Sequence, residues 1–173
     1  MAGHLVRRPS AHPPSVRTKT DTDHLAQEEV RTPMDMRPLD ERLSTSPQIS
    51  PEDMPAIVAA GYRSVISNRP DGEVEGQPLT ADIKAAAEKA GLAFAHVPVV
   101  GGQISDDDIA LFRSTIDQLP APVFGFCRTG TRTTFLWALA HAKDQNATTL
   151  IETAAKAGYD LNGLRARLET GAA

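Results

Sequence analysis

Residues 122–133 read Pro122-Val123-Phe124-Gly125-Phe126-Cys127-Arg128-Thr129-Gly130-Thr131-Arg132-Thr133, and this stretch decides the fold. Its first five residues are continuously apolar, as in a short strand buried on both faces of a parallel sheet. A polar turn follows, and then a helical stretch, Thr133–Ala142. The only cysteine of the chain thus stands between a strand end and a helix start. There the first-turn N–H groups lack intrahelical partners and the dipole presents its positive end, which favours a thiolate. Gly130 permits the backbone angles by which successive N–H groups converge on one centre, an anion-binding nest. Arg128 and Arg132 add guanidinium groups suited to an oxyanion, and Thr133 is placed to give a hydroxyl to the sulfur. A lone cysteine is ordinarily a small buried hydrophobe. The whole constellation favours a reactive thiolate instead.

Working outward, the punctuation is regular. Ser50-Pro51-Glu52-Asp53 starts a helix with Ser50 as N-cap and Pro51 at the first helical position. Met54, Ile57 and Val58 give it an apolar face, and Gly61 ends it. Tyr62–Ser67 reads as a strand, followed by the polar loop Asn68-Arg69-Pro70-Asp71-Gly72. Thr80 caps a second helix with Ile83, Ala86 and Ala87 inward and Gly91 as stop. Phe94–Val99 is the next strand. Ser105-Asp106-Asp107-Asp108 opens a third helix carrying Ile109, Phe112 and Ile116, broken by Pro120. Beyond the cysteine helix two more follow, near Thr148–Ala157 and Leu161–Leu168. Strands alternating with helices of this length mean βαβ units: an α/β fold with a mostly parallel sheet and helices on both faces. The loops at Arg69, at Val100-Gly101-Gly102 and at Cys127 then gather at the carboxyl edge of the sheet.

Composition narrows the classes. The chain has 173 residues, 18 basic against 22 acidic side chains and a net charge of −4, which argues against a nucleic-acid partner. No apolar run approaches the roughly 18 residues of a membrane span, and no signal sequence is evident, so a cytoplasmic location without membrane contact is expected. One cysteine excludes a disulfide framework or a multi-cysteine metal site. His96 has no partner at metal spacing, so neither metal nor other cofactor is expected. Residues 1–36 read as a disordered N-terminal extension: Pro9, Pro13, Pro14 and Pro33 break any period and apolar residues are sparse. A transit peptide, or a start at Met34 or Met36, are the competing readings of that segment. The domain is expected over 37–173.

From about Leu39 onward the sequence resembles the beta-lactamase-hydrolase-like protein, phosphatase-like domain family, relatives of dual-specificity cysteine phosphatases. The resemblance rests on Ser46-Pro47-Gln48-Ile49-Ser50, Ile66-Ser67-Asn68-Arg69-Pro70-Asp71-Gly72-Glu73, His96-Val97-Pro98-Val99 and Cys127–Thr133 followed by Leu136-Trp137-Ala138-Leu139. It implies a cysteine-phosphatase-like fold and a thiolate at Cys127, with chemistry divided between phosphatase-like hydrolysis and sulfur transfer. Three departures from the phosphatase pattern stand out. The arginine is Arg132, five positions after the cysteine rather than six. Phe126 replaces the usual histidine. Gly101 stands where relatives carry a general-acid aspartate, and loss of such an acid lowers ester cleavage by about 10²–10⁴.

The loop Cys127–Arg132 also resembles that of rhodanese-type sulfurtransferases, whose leaving groups need no proton. On that ground the sequence reading prefers a sulfurtransferase passing sulfane sulfur through a persulfide on Cys127. The alternatives are a cysteine-dependent hydrolase of phosphate monoesters and a non-catalytic anion-binding module. Expected ligands are small anions (persulfide, thiosulfate or a phosphate ester), with a sulfur-relay protein as partner under the first reading. Arg128, Thr129, Gly130, Thr131, Arg132, Thr133 and Arg69 are the expected anion-binding residues.

Overall fold

The computed structural model describes residues 34–171. Its elements in chain order are β1 (Arg37–Pro38), β2 (Leu43–Ser46), α1 (Met54–Ala59), β3 (Ser64–Ser67), α2 (Thr80–Lys89), β4 (Ala93–His96), α3 (Asp106–Gln118), β5 (Val123–Phe126), α4 (Thr131–His141), α5 (Ala147–Lys156) and α6 (Arg165–Gly171). They form one five-stranded sheet in the order β1-β2-β5-β3-β4. The pairs β2–β5, β5–β3 and β3–β4 are parallel, and only the β1–β2 pair is antiparallel. The α/β expectation holds.

Strand β5 lies in the middle, and its side chains alternate between two cores. Val123 joins Leu43 and Ile66 against Phe112, Ile116, Leu136 and Leu150. Phe124 and Phe126 face the other way, with Val65, Met54, Ile57 and Ile83. Helices α1 and α2 therefore cover one face, and α3 to α6 the other. Burial on both faces explains why β5 is apolar without interruption. Gly125 points into the first core, where a Cβ would come within 2.8 Å of Thr133 Cγ2 and 3.2 Å of Leu43 Cδ1. Glycine is thus required for α4 to lie this close to the strand.

Several expectations shift. Strands β1 and β2 had no counterpart in the sequence reading, because β2 is Leu-Ser-Thr-Ser and lacks an apolar alternation. It is nevertheless buried throughout. Helix α4 begins at Thr131, two residues earlier than expected. Strand β4 ends at His96, three residues earlier than expected. Val58 turns outward, 42% exposed. Thr80 does not cap α2 from outside. Its N–H and hydroxyl both donate to Asp71 Oδ1 at 2.8 Å, so the cap comes from nine residues upstream. The expected N-terminal extension lies outside the described residues up to position 33. Met34 and Met36, placed in it by sequence, pack half-buried against the second core, since flexible thioether chains fit irregular apolar surface. Among the described residues no helix is long and apolar enough to cross a membrane, and no cluster of His, Cys, Asp and Glu could hold a metal ion.

Candidate active site

The parallel order brings the ends of β2, β3, β4 and β5 to one edge, where the loops at 47–50, 68–79, 97–105 and 127–130 meet. Cys127 follows β5 directly and is fully buried. Its sulfur accepts a hydrogen bond from the Gly130 N–H at 3.1 Å. Gly130 is the N-cap of α4 and adopts φ +87°, a left-handed conformation that a residue with a Cβ rarely takes. A side chain there would also collide with the Tyr159 hydroxyl.

The carbonyls of the loop are held from outside. The Arg128 carbonyl accepts from the Gln48 N–H at 3.2 Å. The Thr129 carbonyl accepts from the Tyr159 hydroxyl at 3.0 Å. The Gly130 carbonyl accepts from Thr45 Oγ1 at 3.1 Å and Thr134 Oγ1 at 2.8 Å. In a trans peptide the N–H points opposite to its carbonyl, so the outward Thr129 carbonyl leaves the Gly130 N–H turned toward the sulfur. Thr129 and Thr131 join their hydroxyls at 2.9 Å at the more exposed side of the loop.

The arginines divide into three kinds. Arg128 is exposed, and its side chain has no partner among the described residues. Arg132 donates through Nη1 and Nη2 to the two oxygens of Glu73, at 2.5 and 2.9 Å, and through Nη1 to the Val99 carbonyl at 3.0 Å. Glu73 and the Cys127 sulfur hold Arg132 in its charged form against the opposing effect of burial. Arg69 is almost wholly buried and reaches Glu73 through Nε at 2.7 Å and Gln48 Oε1 through Nη1 at 2.9 Å. Its Nη2 is buried without a partner among the described residues. Arg69 therefore bears on the loop through Glu73 and Gln48. The Glu73 carboxyl is lowered to about 2, chiefly by the hydrogen bond from Arg132.

Thr133 departs from expectation. Its hydroxyl donates to Asn68 Oδ1 at 3.0 Å, not to the sulfur. Asn68, fully buried, donates in turn to the Val97 carbonyl at 2.9 Å, so one amide joins α4 to the ends of β3 and β4. His96 meets the Arg69 carbonyl at 2.9 Å. Trp137 is core, with its indole N–H on Asp40. Glu73, Gln48 and Tyr159 were missed by sequence reasoning. The first two lie inside quoted motifs, whereas Tyr159 carries no local signal.

Gly101 supplies no carboxylate, and two of the three aspartates that open α3 are engaged elsewhere. That position is exposed and lies two residues beyond Val99, whose carbonyl meets Arg132. Asp108 is committed to the α3 cap, accepting from the Ser105 N–H and hydroxyl at 2.8 and 2.7 Å. Asp106 pairs with Arg167 at 3.0 Å.

Fold and loop together define a cysteine-phosphatase-like domain. Residues 35–144 match the family of the beta-lactamase hydrolase-like protein, phosphatase-like domain. The chain belongs to this family. The beta-lactamase hydrolase-like protein of Agrobacterium fabrum is 39% identical over 106 residues, which are 61% of this chain and 25% of that protein. The chain thus spans about a quarter of the length of the curated relatives it matches. A candidate phosphatase of Neisseria meningitidis Z2491, known from a crystal structure, is 39% identical with a TM-score of 0.74. That match covers 80% of this chain and 99% of that one. The catalytic core of the Saccharomyces cerevisiae PP-IP phosphatase, 14% identical, has a TM-score of 0.58 over 78% of this chain and 83% of its own, a likeness of fold alone. The family match and the Neisseria relative favour phosphatase-like chemistry over sulfur transfer and a sulfur-relay partner. The order of the two readings is therefore reversed.

Proposed function

We propose that the chain is a cysteine-dependent hydrolase of phosphate monoesters, restricted to leaving groups that depart without a proton from the protein. The observation that carries this reading is the Cys127 sulfur at the mouth of α4, bonded by the Gly130 N–H within a loop of outward-held carbonyls. The thiolate attacks phosphorus, forming S–P as the bond to the leaving oxygen breaks. Water then attacks the phosphocysteine, the S–P bond breaks, and phosphate leaves with the thiolate restored. N–H groups of Arg128 to Thr131 and the guanidinium of Arg128 hold the equatorial oxygens, with Arg132 set beside them by Glu73. Thr133 and Arg69 support the cradle through Asn68 and Glu73. The absence of an acid at Gly101 sets the leaving-group requirement.

The full chain should hydrolyse para-nitrophenyl phosphate and act far more slowly on phenyl phosphate. Cys127→Ser should lower turnover by on the order of 10³-fold or more. Unchanged turnover in Cys127→Ser, or none in the native chain, overturns the reading.

A specific observation keeps sulfur transfer as a second reading: Arg132 lies five residues after Cys127, and no acid stands at Gly101. A persulfide adduct of roughly 32 Da on Cys127, with transfer of sulfur from thiosulfate to cyanide, would put it first. Tight sulfate binding with neither activity would leave an anion-binding module.

A further inference from the structure

The Tyr159 hydroxyl donates to the Thr129 carbonyl at 3.0 Å, and the N–H at the other end of that same peptide unit, Gly130 N–H, donates to Cys127 Sγ at 3.1 Å. A peptide unit is rigid and planar, so fixing its oxygen fixes the direction of its N–H. This unit needs fixing from outside. Its orientation is set by ψ of Thr129 and φ of Gly130, and glycine occupies positive and negative φ with similar ease. Without a partner for the carbonyl, the unit is free to turn its N–H away from the sulfur.

We propose that Tyr159 is a positioning residue of the Cys127 loop, holding the Thr129–Gly130 peptide so that its N–H stays on the nucleophile. Tyr159 is itself placed for the task. It is buried between α5 and α6, and the Arg37 guanidinium lies 5.0 Å from its ring centroid. Burial raises the affinity of its oxygen for the proton, so the hydroxyl remains a donor. Hydrogen bonds in series also polarise one another, so the pull of Tyr159 on the carbonyl strengthens the N–H toward sulfur. The residue lies beyond position 144, where the family match ends.

The proposal rests on Cys127 being the nucleophile, and Tyr159→Phe tests it, since the ring and its packing stay. Two measurements on the full chain keep it apart from the hydrolase reading: the alkylation rate of Cys127 by iodoacetamide, and kcat and KM on para-nitrophenyl phosphate. Expected is alkylation slower by about three- to tenfold and kcat lower by about tenfold, with KM within about twofold. Slower alkylation in a chain whose native form hydrolyses nothing supports the positioning role while removing the hydrolase reading. Alkylation and kcat both unchanged overturn the proposal. So does faster alkylation with a much lower melting temperature, which would mark Tyr159 as packing alone.

Discussion

Arg132 and Glu73 meet as a two-pronged ion pair, with two guanidinium nitrogens on two carboxylate oxygens, across 59 residues of sequence. Because Glu73 also accepts from the buried Arg69, one carboxylate on the loop after β3 compensates two guanidinium groups. Buried arginine cannot shed its proton, so the carboxylate is what makes its burial tolerable.

Glu73→Gln should therefore lower unfolding free energy by about 1–3 kcal/mol, less than a wholly buried pair because Glu73 keeps some contact with water. Denaturant unfolding near neutral pH measures it.

The same carboxyl titrates at about 2 in the fold against 4.5 in isolation. Its folded pKa is the lower one, so the pair contributes full stability above the unfolded value. That contribution fades as pH falls from about 4.5 toward about 2. Native protein should lose more stability than Glu73→Gln between neutral pH and about pH 3. Equal losses in the two proteins would show that Glu73 is not the group responsible.

Gly101→Asp should raise hydrolysis of phenyl phosphate by about 10- to 10²-fold and leave para-nitrophenyl phosphate nearly unchanged, since only the poorer leaving group needs the proton. The substitution is sterically free: φ at Gly101 is not positive, and a Cβ there meets nothing within 4 Å. A pH profile of phenyl phosphate turnover, gaining a descending limb, checks that the new carboxyl acts as acid.

Gly125→Ala should destabilise the chain by about 1–3 kcal/mol through overpacking against Thr133, Leu43 and Ile66. Because Thr133 lies in the first turn of α4, turnover should fall as well. Thermal unfolding and kcat together check this, and full stability would mean that α4 can shift off the strand.

The cysteine loop was legible in the sequence because its determinants are local. An apolar strand, a glycine and a helix start sit within about a dozen residues, and their chemistry does not depend on distant chain. The hydroxyl of Thr133 was misassigned because its direction is set by Asn68, 65 residues away. Glu73 and Tyr159 could not be placed for the same reason: nothing in Asp71-Gly72-Glu73 or Ala157-Gly158-Tyr159 announces which loop each will meet. The β1–β2 hairpin was hidden differently. Ser44, Thr45 and Ser46 are buried polar residues, and Thr45 is accounted for only once the Gly130 carbonyl is beside it.

The family match stops at residue 144, yet Tyr159 reaches back to the cysteine loop from fifteen residues farther on. A fragment trimmed to the matched segment would keep every motif residue and lose the hydroxyl that aims the Gly130 N–H, along with Leu150, Ile151, Ala154 and Leu161 from the core. Such a fragment, prepared for assay or grafted onto another protein, should show a less reactive Cys127 and a less stable core than the full chain. A cloning design should keep at least the segment through α6, which hydrogen bonds and packing tie to the loop without any recognisable sequence signal.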